Sequence, residues 1–281
     1  KTTFMQICAD QLNIPLEMID VITADTNVIS MGIGTFASRI TVNAGNSVFL
    51  ASKNVAQKVS TLASFLLECK VDEVQLIDGF AIIINDTSRK KSFSELARVS
   101  QGMPGFSFPE GVTNGLESTE YFSPKQSTYC NGTAAVEIEL DRGTCQIQIK
   151  KYVMVHDSGN LINPLLVDGQ VQGSIAHGIG NAILEDMQYD DQAQPITTNF
   201  GEYLLPTATD IPKVEMHHLF SPSPLNPLGV KGAGEGGTIP AAAAIVSAIE
   251  DAISDTGIFL TQAPMTPPRL FEILNKSNIF K

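Results

Sequence analysis

Five glycines surround a single carboxylate in the segment Gly229–Gly237, which reads GVKGAGEGG. Glycine lets the backbone approach a ligand closely, and successive N–H groups just before a helix form a site for anions. Glu235 would repel an anion there, so its presence favours proton transfer beside a bound group. The alternative is a tight turn in which Glu235 faces water and complements the helix dipole. Lys231 comes too early for a Walker phosphate loop, and the GxGxxG dinucleotide spacing is absent.

Two further segments offer neutral hydrogen-bonding groups. Asp168–Gly173 carries Gln170 and Gln172, whose side-chain amides both donate and accept hydrogen bonds. Such amides suit a neutral, edge-on partner such as a pterin ring or an oxo group, and the alternative is an ordinary helix start capped by Asp168. Gly34–Arg39 is a run of small residues with hydroxyl and N–H groups, which suits either a phosphate or pterin tail or a plain connecting loop.

Neither the cysteines nor the histidines have the spacing of metal ligands. Iron–sulfur and structural zinc sites usually take thiolates at short spacing. The four cysteines are widely separated, so we predict structural thiols in a reducing cytoplasm: Cys8, Cys69, Cys130 and Cys145. No helical pair of histidines four residues apart occurs, and no GxSxG nucleophile elbow is present. The sequence therefore predicts no protein ligand for a metal and gives no support to a serine hydrolase.

Composition limits the classes of partner. The 281 residues include 18 basic and 30 acidic side chains, which give a net charge of -12. A chain this acidic is a poor candidate for binding nucleic acid, because phosphate contacts need clustered Lys and Arg. No apolar run approaches the ~18 residues that a membrane span requires. The chain opens inside a helical pattern without an initiator Met or a signal peptide, so we expect a piece of a longer polypeptide.

Apolar periodicity predicts the helices that position these segments. Apolar residues recur every three or four positions over residues 2–12, about 48–66, 166–184 and about 239–253. For the last of these helices the predicted apolar face consists of Ile239, Ala242, Val246, Ile249 and Ile253.

Alternating patterns predict the strands. A short strand is predicted at Val21–Thr23, a strand pair over Gln75–Asn85, and a long hairpin around the turn Asp141–Thr144. Residues 100–128 contain Pro104, Pro109 and Pro124 and are predicted to form an extended connection at a subdomain boundary. Residues 188–228 are turn-rich. The class is therefore mixed α and β.

Taken in order along the chain, the glycine-rich segments resemble those of the molybdenum hydroxylases. The matching segments are Gly32–Arg39, Val155–Pro164 running into Val167–Gly173, Gly229–Glu235 and Leu260–Arg269. That family includes xanthine dehydrogenase, aldehyde oxidase and the large subunit of aerobic carbon monoxide dehydrogenase. The resemblance extends over essentially the whole chain and corresponds to the carboxy-terminal part of the family's molybdopterin-binding region.

The resemblance implies a fold, an activity and site residues. The implied fold is α+β, with mixed sheets and packed helices in two molybdopterin-binding subdomains, 1–115 (incomplete at its N-terminus) and 116–281 (with the glycine-loop glutamate). Glu235 would be the general base, deprotonating the water or hydroxyl on molybdenum during oxidation of a purine, N-heterocycle or aldehyde. Gln170 would contact the molybdopterin cofactor or a molybdenum oxygen, and Gly234 would lie beside the metal through its backbone. The residues that would wrap the pterin and its phosphate are Thr35, Phe36, Ala37, Ser38 and Arg39.

The resemblance also implies partners. The cofactor would be molybdenum–molybdopterin, alone or as a dinucleotide, with iron–sulfur clusters and FAD on other domains or subunits of a cytoplasmic, multi-subunit enzyme. The other partners would be a preceding molybdenum-binding half and a small-molecule substrate. Binding to nucleic acid and a membrane span are not expected. Ser158, Gln172 and His177 depart from the residues usual at their positions in the family. The alternatives are therefore a catalytically silent scaffold derived from that family and a phosphate-anchoring nucleotide-binding protein built on the glycine loop.

Overall fold

The computed structural model describes residues 1–29, 31–32, 34–102, 107–108, 112 and 114–276. The chain divides into two compact units. The first comprises Lys1–Thr128 together with Ser223–Val230, and the second comprises Tyr129–Pro222 together with Lys231–Lys281. The subdomains predicted at 1–115 and 116–281 stay a prediction about cofactor binding. Searched over its described residues, the chain has no helix long and apolar enough to cross a bilayer.

The first unit packs helices on a small antiparallel sheet. Its elements are α1 (Thr2–Leu12), α2 (Asn46–Leu66), β1 (Val74–Ile77), β2 (Phe80–Ile83), β3 (Asp86–Ser92) and α3 (Phe93–Ser100). The two predicted helices and the predicted strand pair are confirmed, and the strands form a sheet in the order β1-β2-β3. Val59 and Leu62 of α2 are buried against Ala81 of β2 and Leu96 of α3. Burial of these apolar side chains holds the unit together.

Three features of the first unit differ from the sequence prediction. The strand predicted at Val21–Thr23 is wrong: these residues form no regular element, and Ile22 is exposed. A strand needs a paired neighbour, and none lies beside this segment in the described chain. β3 escaped prediction because this edge strand is mostly exposed and so lacks apolar alternation. α3, which follows it directly, was not predicted either.

The predicted extended connection lies after α3. The described residues between 101 and 128 form neither helix nor strand. Pro104 and Pro109 lie outside the described residues, whereas Pro124 is described.

The second unit is built on a mixed sheet with helices. Its elements are β4 (Asn131–Asp141), β5 (Gln146–Asp157), α4 (Pro164–Ile183), β6 (Val214–His218), α5 (Thr238–Ala252) and α6 (Pro267–Lys276). β4 and β5 form the predicted hairpin, with Val136 opposite Tyr152. β6 runs parallel to β5, with His218 opposite His156. A parallel pair needs a crossover, which α4 and the following segment provide. The α+β class with a mixed sheet is confirmed.

Helices α4 and α5 approach each other closely in the core of the second unit. Val171, Ile175 and Ile179 of α4 are fully buried, as are Ala241, Ile245 and Ile249 of α5. A Cβ atom at Gly178 would overlap the Ala241 side chain, so only glycine permits this contact.

The apolar face predicted for α5 is partly wrong. Ile249 and Ile253 are buried as predicted, but Ile239 is 72% exposed, and Ala241 and Ile245 occupy the core positions. Because the helix is apolar at most positions, periodicity alone did not select its buried side, which the contact at Gly178 decides.

Candidate functional site

The glycine loop of the second unit is anchored at both ends. At its start, the Lys231 backbone N–H donates to the Ser158 carbonyl at 2.7 Å, and Lys231 Nζ donates to Asp157 Oδ2 at 2.7 Å. At its end, the Gly237 N–H donates to Ser174 Oγ of α4 at 2.9 Å. Residues 232–236 lie between these anchors, and we call residues 232–235 the glycine arch.

Close contacts explain the two glycines that end the loop. A Cβ atom at Gly236 would overlap the imidazole of His156, approaching Cδ2 at 2.9 Å. A Cβ atom at Gly237 would overlap Ser174 Oγ and come within 2.5 Å of the Val171 carbonyl oxygen. These glycines therefore let the loop pack against β5 and α4.

Glu235 is an exposed residue at the end of the arch. Its carbonyl accepts hydrogen bonds from the N–H groups of Thr238 at 3.2 Å and Ile239 at 3.3 Å, which starts α5. Among the hydrogen bonds of the described chain, the N–H groups of Gly232, Ala233 and Gly234 have no acceptor. The arch thus combines unengaged backbone donors with an exposed carboxylate, which is a donor set suited to an acceptor-rich ligand beside a proton acceptor.

Gln170 lies on the exposed side of α4 near the loop's second anchor. Helix α4 begins after Asn163, whose Oδ1 accepts from the Leu166 N–H at 3.1 Å. The interpretation of Asp168 as the helix cap is therefore wrong. Gln170 is exposed, and its neighbour Val171 contacts the backbone at Gly237. The structure thus places the backbone of Val171, which follows Gln170, next to Gly237, two positions after Glu235.

A buried ion pair lies below the start of the arch. The Lys231 and Asp157 side chains are only 10% and 6% exposed. Burial by itself would raise the pKa of Asp157, but hydrogen bonds from Lys231 and the Gly159 N–H outweigh it and hold that pKa below its usual value. The ammonium group of Lys231 is therefore paired with the Asp157 carboxylate.

Cys130 is half-buried beside the same ion pair. Burial is the main cause that raises the pKa of its thiol. The negative charges of Asp157 and Glu235 also raise this pKa, whereas a backbone hydrogen bond and the positive charge of Lys231 lower it. Sequence reasoning missed the cluster of Cys130, Asp157 and Lys231, because no local pattern joins residues this far apart in the chain.

The segment predicted to wrap the pterin lies in the first unit. Gly34, Ala37 and Ser38 have positive φ angles of 85°, 50° and 53°. Ala37 and Ser38 are consecutive non-glycine residues in the left-handed region of backbone conformation, which costs about 1–3 kcal/mol for each. Such strain is concentrated at functional sites. The Arg39 guanidinium lies 4.5 Å from the centre of the Phe36 ring. Thr35 is exposed in the same loop, and Ile33 of the matching segment lies outside the described residues.

A buried asparagine pair in the first unit ties the start of α2 to the segment before the glycine loop. Asn46, at the start of α2, donates from Nδ2 to Asn226 Oδ1 at 3.2 Å and accepts from the Leu228 N–H at 3.1 Å. Asn226 also donates to the Val230 carbonyl at 2.9 Å. These bonds fix the segment that leads into the glycine loop. The sequence offered no signal for this pair, because its members are 180 positions apart.

Comparisons with known proteins identify the family. A family model described as a molybdopterin cofactor-binding domain matches residues 1–212. The chain is 35% identical to the nicotine 6-hydroxylase large subunit of Paenarthrobacter nicotinovorans, over 96% of this chain and 33% of that protein. It is 30% identical to the carbon monoxide dehydrogenase large chain of Hydrogenophaga pseudoflava, over 99% of this chain and 34% of that protein.

A solved structure of similar fold and sequence supports the same family. Quinoline 2-oxidoreductase from Pseudomonas putida 86 superposes with a TM-score of 0.88 at 34% identity, over 98% of this chain and 35% of that one. The chain spans about a third of the length of the curated relatives it matches. It belongs to the molybdenum hydroxylase family and corresponds to the carboxy-terminal part of its molybdenum-binding region.

Proposed function

We propose that this chain forms part of an oxidoreductase that hydroxylates a small molecule with oxygen from water, and that Glu235 is the general base. The observation that carries the proposal is the exposed carboxylate of Glu235 on an arch anchored at both ends. An acid–base residue must be held in place relative to the proton it takes, and anchoring of the arch supports that requirement. In this proposal, residues 1–115 and 116–281 are the two molybdopterin-binding subdomains.

The donor set of the second unit fits molybdopterin. Among the described residues, no group of three His, Cys, Asp or Glu side chains is arranged to hold a metal ion. A metal carried by an organic cofactor does not need such a group, since the protein then supplies binding and orientation. The Gly234 N–H and the Gln170 amide are donors for the oxygen and ring-nitrogen acceptors of the cofactor. In the first unit, Thr35–Arg39 would hold the pterin and its phosphate.

The proposed chemistry divides between the cofactor and the chain. When bound, the molybdenum cofactor supplies a two-electron acceptor. Glu235 accepts a proton from the water that provides the new oxygen atom, and Gln170 orients the cofactor. In the balanced reaction, R–H and H2O give R–OH, two protons and two electrons.

The electrons require further redox centres. We propose a preceding molybdenum-binding half, an iron–sulfur unit and an FAD unit as partners in a cytoplasmic complex, with the cofactor alone or as a dinucleotide. Purines, N-heterocycles and aldehydes are the substrate classes. N-heterocycles receive the most support, because two similar proteins are named for nicotine and quinoline.

A phosphate-anchoring nucleotide site receives less support from the loop. Such a site would use Lys231 as its cation, but Lys231 Nζ is bonded to Asp157 in a buried pair. Glu235 would add a negative charge beside the phosphate.

The proposal is tested on the purified protein together with the subunits that accompany it. Molybdenum and pterin contents are measured, and an N-heterocycle is then oxidised in 18O-labelled water. We expect both components of the cofactor and one labelled oxygen in each product molecule. Absence of molybdenum and pterin, or product oxygen taken from O2, would reject the proposal.

A further inference from the structure

The imidazole of His156 fills the space beneath the end of the glycine arch. His156 is fully buried at the end of β5, and its Nδ1 lies 2.8 Å from Ser158 Oγ. The opposite edge of the ring contacts the backbone at Gly236, where a side chain would overlap it. Nε2 is buried without a hydrogen-bond partner among the described residues. The ring therefore supports the residue next to Glu235 by direct packing.

A second histidine continues this contact towards α4. His218 lies opposite His156 on the parallel strand β6, so both side chains are on the same face of the sheet. The two rings meet edge to face, with centroids 6.4 Å apart and an interplanar angle of 81°. His218 Nε2 lies 2.6 Å from Asp168 Oδ1 on α4. Asp168 precedes Gln170 by two positions on that helix.

The neighbouring histidine of β6 does not take part. His217 points to the other face of the sheet, is 57% exposed, and bonds Glu215 Oε1 at 3.0 Å. It is the same residue type on the same strand and therefore provides a matched control.

We propose that His156, His218 and Asp168 form a bridge of positioning residues that fixes the glycine arch relative to α4. The bridge holds Glu235 in register with Gln170. This inference rests on the proposed function, in which these two residues serve the same bound group. Each step of the bridge is a contact within the second unit. Packed contacts of this kind have few alternative arrangements, so loss of one member displaces the next.

Removal of a bridge side chain is expected to move Glu235 out of alignment with Gln170. A displacement of about 1 Å at a catalytic group lowers the rate on the order of 10²-fold. His156→Ala should therefore lower kcat per bound molybdenum by about that factor and leave KM for the substrate little changed. His156→Gln should recover part of kcat, because its amide reaches towards the position of Nε2.

Amide hydrogen exchange of the intact holoenzyme provides a readout that does not depend on turnover. We expect His156→Ala to accelerate exchange of the hydrogen-bonded N–H groups of residues 236–238 by roughly tenfold or more, because the arch loses its support. His217→Ala should leave that exchange unchanged. Ser158→Ala removes only the partner of Nδ1 and should give a smaller acceleration at the same residues, which keeps the test available if His156→Ala does not fold.

Coupling along the bridge is tested with a double variant. His156→Ala and Asp168→Ala should be non-additive in kcat per molybdenum, because either change breaks the same path. The proposal is overturned if their effects simply add, or if the N–H groups of residues 236–238 exchange equally in the His156, Ser158 and His217 variants. Failure of the proposed function would look different, since exchange would still respond to His156→Ala in a protein that contains no molybdenum or pterin.

Discussion

The buried ion pair at the start of the glycine arch should contribute much more to stability than an exposed pair on the same sheet. Lys231 Nζ and Asp157 Oδ2 are 2.7 Å apart, with side chains 10% and 6% exposed. Lys231→Met leaves the Asp157 carboxylate buried without its cation, which costs about 3–5 kcal/mol. Lys150 and Glu139 are 2.9 Å apart but 43% and 68% exposed, so Lys150→Met should cost about 0–1 kcal/mol.

Urea unfolding of the intact protein, followed by circular dichroism, measures both variants. The double variant Lys231→Met with Asp157→Leu removes both charges and should recover most of the loss, because no unpaired charge remains buried. The reasoning is refuted if Lys231→Met lowers the free energy of unfolding no more than Lys150→Met does.

The same pair makes stability depend on pH in acid. The hydrogen bonds from Lys231 and the Gly159 N–H hold the pKa of Asp157 below its usual value in the folded protein. Between the folded and the unfolded pKa, the unfolded chain therefore binds more protons than the folded protein does. The stabilisation is therefore present above the unfolded pKa and is lost as the pH falls through the folded pKa. This acid-dependent component should be absent from Lys231→Met.

Substitutions at two core positions of the second unit give further tests. Tyr152 is fully buried, burial raises the pKa of its hydroxyl to about 12, and that hydroxyl has no partner among the described residues. Tyr152→Phe should therefore raise the free energy of unfolding by about 1–3 kcal/mol, and a decrease in urea unfolding would contradict this. Gly178→Ala should cost about 1–3 kcal/mol because its Cβ would overlap Ala241, whereas Gly173→Ala has open space and should gain up to about 1 kcal/mol. Equal thermal shifts for the two glycine variants would refute the packing argument.

Local patterns were sufficient for the parts of the fold that depend on nearby residues. The β4–β5 hairpin follows from alternation around Asp141–Thr144, and α4 follows from apolar positions three and four apart. The glycine loop was recognised because Glu235 is unusual among closely spaced glycines. Local composition likewise identified the other two segments of the predicted site, residues 34–39 and 168–173. The roles of all three segments stay predictions.

Long-range contacts determined the rest. β6 is only five residues long and is specified by pairing with β5 rather than by its own sequence. The buried partners Asn46 and Asn226 come from distant parts of the chain, as do Lys231 and Asp157. His156 and His218 become neighbours only through a parallel strand pair. No spacing rule in a single sequence reports such contacts.

Glu235→Gln in the molybdenum-loaded holoenzyme tests the central claim most directly. The amide keeps the shape of the side chain but cannot accept the proton, so we predict that kcat falls by about 10²- to 10⁴-fold while molybdenum and pterin contents stay unchanged. Glu137→Gln makes the same chemical change at an exposed position on β4 and should leave turnover intact. Near-normal turnover of Glu235→Gln with the cofactor fully bound would contradict the account.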